Sequence, residues 1–228
     1  MNGEYVVKLR AGIDNPDIGL FSELMGSQLA QFLDIQTPEP AIIIVNPELA
    51  DIINDSQLEG DIRRSAGNNF GSKVITGGYD TWPIGEAIPP SLKQLACEVF
   101  AFDAMIQNPD RKTSNPNILW CGDELYIIDH ETGFSFIYDI LPQPEPWRIS
   151  NMQFLRDHLF YPKLKEEEIN LDRFAGALET LTEEHINNMI ANIPEEWDNI
   201  HIPKITDHLN GITNHVNEFI DEVRRILQ

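Results

Sequence analysis

Basic side chains are scarce in this sequence. The chain of 228 residues carries 16 lysines and arginines against 37 aspartates and glutamates, so its formal net charge is −21 at pH 7. The excess of acids is spread along the chain, and no long segment is basic. Proteins that bind nucleic acid or anionic membranes need clustered cations that replace counterions. The composition therefore predicts partners that are neither nucleic acid nor a membrane surface.

The sequence also has few cysteines and no long apolar run. Its two cysteines, Cys97 and Cys121, cannot form a disulfide framework. No apolar segment approaches the roughly 18 residues that a membrane span requires, and the N-terminal segment lacks the apolar stretch of a signal peptide. We therefore expect a cytoplasmic protein with an apolar core, for which a hydrophobic content of 42% is ordinary.

The first 46 residues carry the patterns of a strand, a helix and a second strand. Residues 4–10 alternate and are β-branched, residues 20–33 have apolar side chains at helical spacing, and residues 37–46 form a proline-punctuated apolar run. Glycine, asparagine and proline are frequent between residues 54 and 90, which indicates loops around short elements.

The rest of the chain is predicted to be mainly helical, with one hairpin. A capping pattern at Ser91 and an apolar face from Leu92 to Ile106 indicate a buried helix. Two short strands are expected on either side of Gly122 and Asp123, and the last 80 residues or so show helical spacing. The fold class is therefore predicted to be α+β.

The segment QNPDRKTSNPNILWCGDELYIIDHETGF, residues 107–134, combines two acids and an amide. Asp110 follows the buried helix, Asn115 lies in the same loop, and Asp129 ends the hairpin, which would return it to that loop. Phosphoryl transfer needs a carboxylate that orients the attacking hydroxyl and oxygen ligands for a divalent metal. The order predicts Asp110 as the acid/base, with Asn115 and Asp129 as magnesium ligands.

Lys8 is the candidate cation for the phosphates of a nucleotide. A lysine on a half-buried strand needs a counter-charge, and Glu23 on the following helix is the nearest candidate. A strand lysine that pairs with a helix glutamate is the arrangement found in kinases.

The motif from Asp110-Arg111 to Asn115, followed by IIDHETGF after a short hairpin, resembles the HipA-like kinase family, a branch of the protein-kinase-like fold. Phosphoinositide kinases share related motifs. FDAMIQNPDR and the N-terminal segment are also similar to compact bacterial members, so the resemblance covers about residues 4–135. The resemblance implies a two-lobed fold. A small N-terminal lobe, either complete or truncated, would span residues 1–46, and a mainly helical C-terminal lobe would span residues 47–228.

The resemblance also implies an activity: transfer of the γ-phosphate of ATP, with magnesium, to an unidentified hydroxyl on a protein or a small molecule. Asp110 would be the catalytic acid/base, Asn115 and Asp129 the metal ligands, and Lys8, paired with Glu23, the phosphate-binding lysine. The family-like segment NNFGSK adds Lys73 as a further candidate nucleotide contact. The sequence departs from the simpler Asp-His-Gly form, since two residues, Glu-Thr, stand before the glycine.

A Gly-rich loop normally precedes the lysine strand of a kinase, whereas here seven residues with one glycine, Gly3, precede Lys8. Either the chain begins inside the usual N-terminal lobe, or other residues cover the phosphates. Three alternatives stay open: a nucleotide-binding pseudokinase or regulatory module, an interaction protein without a nucleotide site, and an enzyme that transfers AMP.

Other polar residues are interpreted as structural. Asp103, on the buried helix, is expected to brace the backbone, and Arg111 is expected to neutralise local acids. The histidines at positions 201, 208 and 215 recur every seven residues, and we interpret them as surface residues.

Overall fold

A three-stranded antiparallel sheet packs against a long helix in the first third of the chain. The computed structural model describes residues 3–141, 143–197 and 200–228. The sheet has the order β1-β3-β2, so the strand that comes last in the chain lies in the middle. The elements are β1 (Tyr5–Lys8), α1 (Pro16–Phe32), β2 (Pro40–Val45), α2 (Ser56–Arg64) and β3 (Gly67–Lys73).

The central strand β3 lies where the sequence predicts loops. Its glycine and asparagine residues are required by close packing and by hydrogen bonds. A Cβ at Gly71 would lie 2.5 Å from the side chain of Ile43 on β2. The buried amide of Asn69 donates to the carbonyl of Ser65 at 2.7 Å and accepts the backbone N–H of Arg10 at 2.8 Å. The sheet therefore extends past residue 46, and the division into lobes at that residue stays a prediction.

The second sheet contains the predicted hairpin. β5 (Ile118–Cys121) and β6 (Glu124–Ile127) pair in antiparallel register around a turn at Gly122 and Asp123, and the short β4 (Asp80–Thr81) pairs with β5. Gly122 has a φ of +58°, a left-handed conformation that glycine adopts without strain.

The helix α3 (Lys93–Ile106) lies at the centre of the main hydrophobic core. Eleven consecutive residues, from Ala96 to Ile106, are buried, so the helix is enclosed on all faces. It ends at Gln107, which has a φ of +47° and directs the chain into the loop that carries Asp110.

Five further helices contribute residues to the same core and complete the larger part of the molecule. None of the helices within the described ranges is long and apolar enough to cross a membrane. The fold is thus α+β, with a small sheet-containing part ahead of a mainly helical one, as the sequence predicts. The helices are α4 (Tyr161–Leu164), α5 (Asp172–Glu179), α6 (Glu183–Ala191), α7 (Ile202–Thr213) and α8 (Val216–Ile226).

Candidate active site

A cleft of about 460 Å³ is lined by residues of the first sheet, of α1 and of the hairpin region. Its volume lies within the range of small-molecule sites, roughly 300–1,000 Å³. Much of the lining is apolar, and a few charged groups converge on it. The apolar lining includes Val6, Phe70, Val74, Ile75, Leu119 and Ile128, and the charged lining includes Lys8, Glu23, Lys73 and Asp129.

Lys8 on β1 is surrounded by three carboxylates. Its Nζ lies 2.5 Å from Glu23 Oε1, 2.9 Å from Asp129 Oδ1 and 3.0 Å from Glu131 Oε2. The Glu23 side chain is 2% exposed, whereas those of Asp129 and Glu131 are 39% and 31% exposed. The strand and the helix that the sequence predicts therefore form the expected ion pair, and two acids from the segment after the hairpin join it.

The surroundings keep Lys8 and Glu23 charged at neutral pH. Burial lowers the pKa of Lys8, but the charges of Glu23 and Asp129 outweigh burial and raise it above its usual value. Burial raises the pKa of Glu23, but its contact with His130 and the charge of Lys8 lower it to about 2. The backbone N–H of His130 also donates to Glu23 Oε2 at 2.9 Å. Lys8 is therefore an ammonium and Glu23 a carboxylate.

Two glycines of α1 allow the segment after the hairpin to lie directly against this helix. A Cβ at Gly26 would be 2.7 Å from His130 Cβ, and a Cβ at Gly19 would be 3.1 Å from Glu131 Cγ. The two glycines are seven residues apart, about two helical turns, and so lie on the same face. Asp129 turns the chain at this point with a φ of +58°. The close approach brings Asp129 and its neighbours to the level of Glu23.

The loop after α3 holds the Asp110 side chain between two amides. Asn115 Nδ2 donates to Asp110 Oδ2 at 2.7 Å, and Asn117 Nδ2 donates to the same oxygen at 3.3 Å. The buried Asn108 accepts the backbone N–H of Asp110 at 3.1 Å and the hydroxyl of Thr132 at 2.8 Å. Asn108 thus connects the loop of Asp110 to the segment that follows Asp129.

A strand lysine paired with a helix glutamate, an acid that follows a hairpin, and a loop acid held by amides are features of kinases. The family model of the HipA-like kinases matches residues 2–225. The chain belongs to this family. The protein-kinase-like fold expected from the sequence is thereby confirmed, and the chain is a kinase-type phosphotransferase by family.

A solved structure supports the same fold. The crystal structure of the Helicobacter pylori proinflammatory kinase CtkA is similar to this HipA-like kinase with a TM-score of 0.55, over 97% of this chain and 90% of that chain. The two sequences are 17% identical, so the likeness concerns the fold. No curated protein matches the sequence.

A fully buried ion pair lies beneath the loop of this HipA-like kinase. Arg111 Nε donates to Asp103 Oδ2 at 2.6 Å, and both side chains are 0% exposed. Arg111 Nη1 also donates to the carbonyls of Asn117 and Ile128, the latter at 3.2 Å. Burial raises the pKa of Asp103, but Arg111 and His158 outweigh burial and lower it. Arg111 therefore joins α3, the loop and the hairpin, and its structural interpretation agrees with these contacts.

Five of the six candidate site residues form two groups, and the sixth belongs to neither. Lys8, Glu23 and Asp129 lie together in the cleft, while Asp110 and Asn115 lie together in the loop. Among the described residues, Asn115 makes no hydrogen bond to Asp129. Lys73 lines the cleft, but its ammonium pairs with Glu39 at 2.6 Å on an exposed edge. The catalytic and binding roles of these residues stay predictions.

Several residues that hold the candidate groups in place have no role predicted from the sequence. Asn108 and Asn117 position Asp110, and Thr132 contacts Asn108. Their signal in the sequence is weak, because asparagine and threonine are common in turns. Glu131 had a stronger signal, since it occupies the position at which the sequence departs from the Asp-His-Gly form.

The three carboxylates around Lys8 are close enough to share a cation. One ligand oxygen from each of Glu23, Asp129 and Glu131 lies within 4.8 Å of the others. Carboxylate oxygens are the hard ligands that Mg²⁺ prefers. The donor set therefore fits the metal that kinases use.

Proposed function

We propose that the protein is an ATP- and magnesium-dependent phosphotransferase that transfers the γ-phosphate to a hydroxyl group of an unidentified protein or small molecule. The observation that carries the proposal is the placement of Lys8, Glu23 and Asp129 in one cleft of a HipA-like kinase. The excess of negative charge on the chain favours an acceptor other than nucleic acid.

The cleft suits a nucleotide in both its shape and its chemistry. Its apolar lining, with Val6, Leu119 and Ile128, offers a dry surface for a planar base. Lys8, which is positively charged, would bind the phosphates. Its pair with Glu23 fixes the direction of the ammonium, because the Glu23 carboxylate is buried and is itself held by the backbone of His130.

Asp129 and Asn115 would hold magnesium, which when bound neutralises the charge of the phosphates. Asp129 is 39% exposed beside Lys8, so its carboxylate is accessible from the cleft. The Asn115 side chain has an amide oxygen, and its nitrogen is already occupied by Asp110. The amide oxygen is thereby left as the ligand atom.

Asp110 would orient the acceptor hydroxyl and take up its proton. The hydroxyl oxygen forms a bond to the γ-phosphorus while the bond between that phosphorus and the bridging oxygen of ADP breaks. Hydrogen bonds from Asn115 and Asn117 fix one oxygen of the Asp110 carboxylate. This positioning is the main contribution that a protein makes to phosphoryl transfer.

The test uses purified protein with magnesium and γ-labelled ATP, and it measures both nucleotide binding and release or transfer of the label. Asp110→Ala and Asp129→Asn are expected to lower the rate by about 10²-fold or more, as for the loss of an acid/base or metal ligand. Asp123→Asn, in the exposed turn of the hairpin, is the control and should match the wild type.

Three results would contradict the proposal. A wild-type protein that binds no ATP would exclude a nucleotide site. Variants at Asp110 and Asp129 that transfer label as fast as the wild type would refute the assigned roles. A wild type whose melting temperature rises with ATP but which transfers no label would be a pseudokinase.

A further inference from the structure

Glu131 is the acid beside Lys8 to which the kinase roles above assign nothing. Its Oε2 lies 3.0 Å from Lys8 Nζ, almost as close as the oxygen of Asp129 at 2.9 Å. The backbone of α1 makes room for it, because Gly19 lacks a Cβ that would come within 3.1 Å of Glu131 Cγ. Gly19 therefore leaves the space that the Glu131 side chain occupies beside Lys8.

Negative charges outnumber positive charges around Lys8. Three carboxylates contact one ammonium, so the cluster has an excess of negative charge. Glu23 is buried and held from two sides, by Lys8 and by the backbone N–H of His130. Glu131 is 31% exposed, and its side chain has the freedom to leave Lys8.

Nucleotide phosphates and Glu131 would compete for the same cation. Once Lys8 binds phosphate, Glu131 loses its counter-charge. Its carboxylate then lies beside the negatively charged phosphate, and the two groups repel each other. A divalent cation reverses this repulsion, because the carboxylate then becomes one of its oxygen ligands. Glu131 lies within 4.8 Å of the Asp129 oxygen, as two ligands of one ion require.

We infer that Glu131 makes nucleotide binding dependent on the divalent cation. Its carboxylate pairs with Lys8 in the nucleotide-free protein and ligates the cation when phosphates take its place on Lys8. Metal-free ATP is then disfavoured, and the magnesium complex of ATP is selected. This inference rests on the proposed nucleotide site but not on phosphate transfer.

The experiment measures the affinity of a non-hydrolysable ATP analogue by calorimetry, once with EDTA and once with magnesium. In Glu131→Gln the metal-free affinity should rise on the order of tenfold, because a nearby like charge is removed. The affinity with magnesium should fall, so the preference for the magnesium complex declines by more than tenfold. Glu131→Asp keeps the charge and should keep the preference.

Glu167→Gln is the matched control. Glu167 also pairs with a lysine, Lys93, at 2.7 Å, but it is not one of the acids that contact Lys8. The preference for the magnesium complex should equal that of the wild type in this variant. Thermal unfolding of every variant establishes that the protein is folded before affinities are compared.

The outcomes separate this inference from the proposed function. If the wild type binds the analogue and Glu131→Gln leaves the preference unchanged, the inference is wrong while the nucleotide site stands. If Glu131→Gln tightens binding equally with and without magnesium, the carboxylate competes for Lys8 without ligating the cation, and the inference is again wrong. If the wild type binds no analogue in either condition, both proposals fail.

Discussion

Two clusters of charged side chains differ in burial, one beneath the loop of Asp110 and one around Lys8. The first joins Arg111 to Asp103 and is fully buried. The second places Lys8 among three carboxylates, two of which are about one-third exposed. In the first cluster each charge has a fixed partner, whereas in the second there are more acids than cations.

The difference shows how structural and functional charge can be distinguished. A buried ion must be fully paired, because an unpaired charge in the interior is very unfavourable. An accessible cluster with excess charge is tolerable only where water or a ligand can reach it, and functional groups are found in such surroundings. By this criterion Arg111 maintains the loop, while Lys8 and its acids are the candidates for binding a ligand.

The largest effect is expected from breaking the buried pair. Arg111→Ala leaves Asp103 without its main partner and should lower the free energy of unfolding by about 3–5 kcal/mol. Urea denaturation measures this loss. Arg63→Ala, which removes an exposed pair with Asp51, is the control and should change little. Equal urea midpoints for Arg111→Ala and the wild type would contradict the structural role.

A smaller effect is expected from uncoupling the pair in the cleft. Lys8→Met leaves the buried Glu23 carboxylate without its cation, and Glu23→Gln should recover part of the lost stability. A double-mutant cycle of the free energy of unfolding should give a coupling of about 1–3 kcal/mol. Coupling close to zero would mean that the two side chains do not pair in solution.

The smallest effect concerns pH and the third member of the buried cluster. His158 Nδ1 accepts the backbone N–H of Phe160 at 3.1 Å, and Nε2 lies 2.9 Å from Asp103 Oδ2. Burial, which outweighs Asp103, lowers the pKa of His158 below its usual value of 6.5. The neutral ring is therefore the native form, and its protonation displaces the bond from Phe160.

The sign of the pH dependence follows from this shift. The unfolded chain takes up a proton near pH 6.5 while the folded protein does not, so the contribution of His158 is complete above that pH and declines as the pH falls. The slope is at most about 1.4 kcal/mol per pH unit. Unfolding measured against pH should show a weaker decline in His158→Gln. A stability that declines equally with falling pH in His158→Gln and in the wild type would refute this role of His158.

The sequence was most informative where one local pattern decides the structure. The hairpin around Gly122 and the Lys8–Glu23 pair follow from alternation and helical spacing, and both are present. β3 could not be predicted, because Asn69 and Gly71 are poor strand formers that only distant contacts with Arg10 and Ile43 explain.

His208 was predicted at the surface, and this interpretation was wrong. Its ring stacks on Phe136 at 3.9 Å and its Nε2 lies 2.7 Å from the carbonyl of Met105, so the side chain is buried. The seven-residue spacing of the three histidines does not show which face of α7 packs against α3. Glu131 was missed for a similar reason, because its partner Lys8 is 123 residues away.

The strand order β1-β3-β2 has a consequence for how the chain folds during synthesis. β1 and β2 emerge from the ribosome first, yet each pairs with β3 instead of with the other. The sheet therefore cannot close until residue 73 has emerged, and the charges around Lys8 cannot assemble until residue 131 has followed. Pairings over such sequence distances form slowly, so we expect the complete cleft to form late in folding.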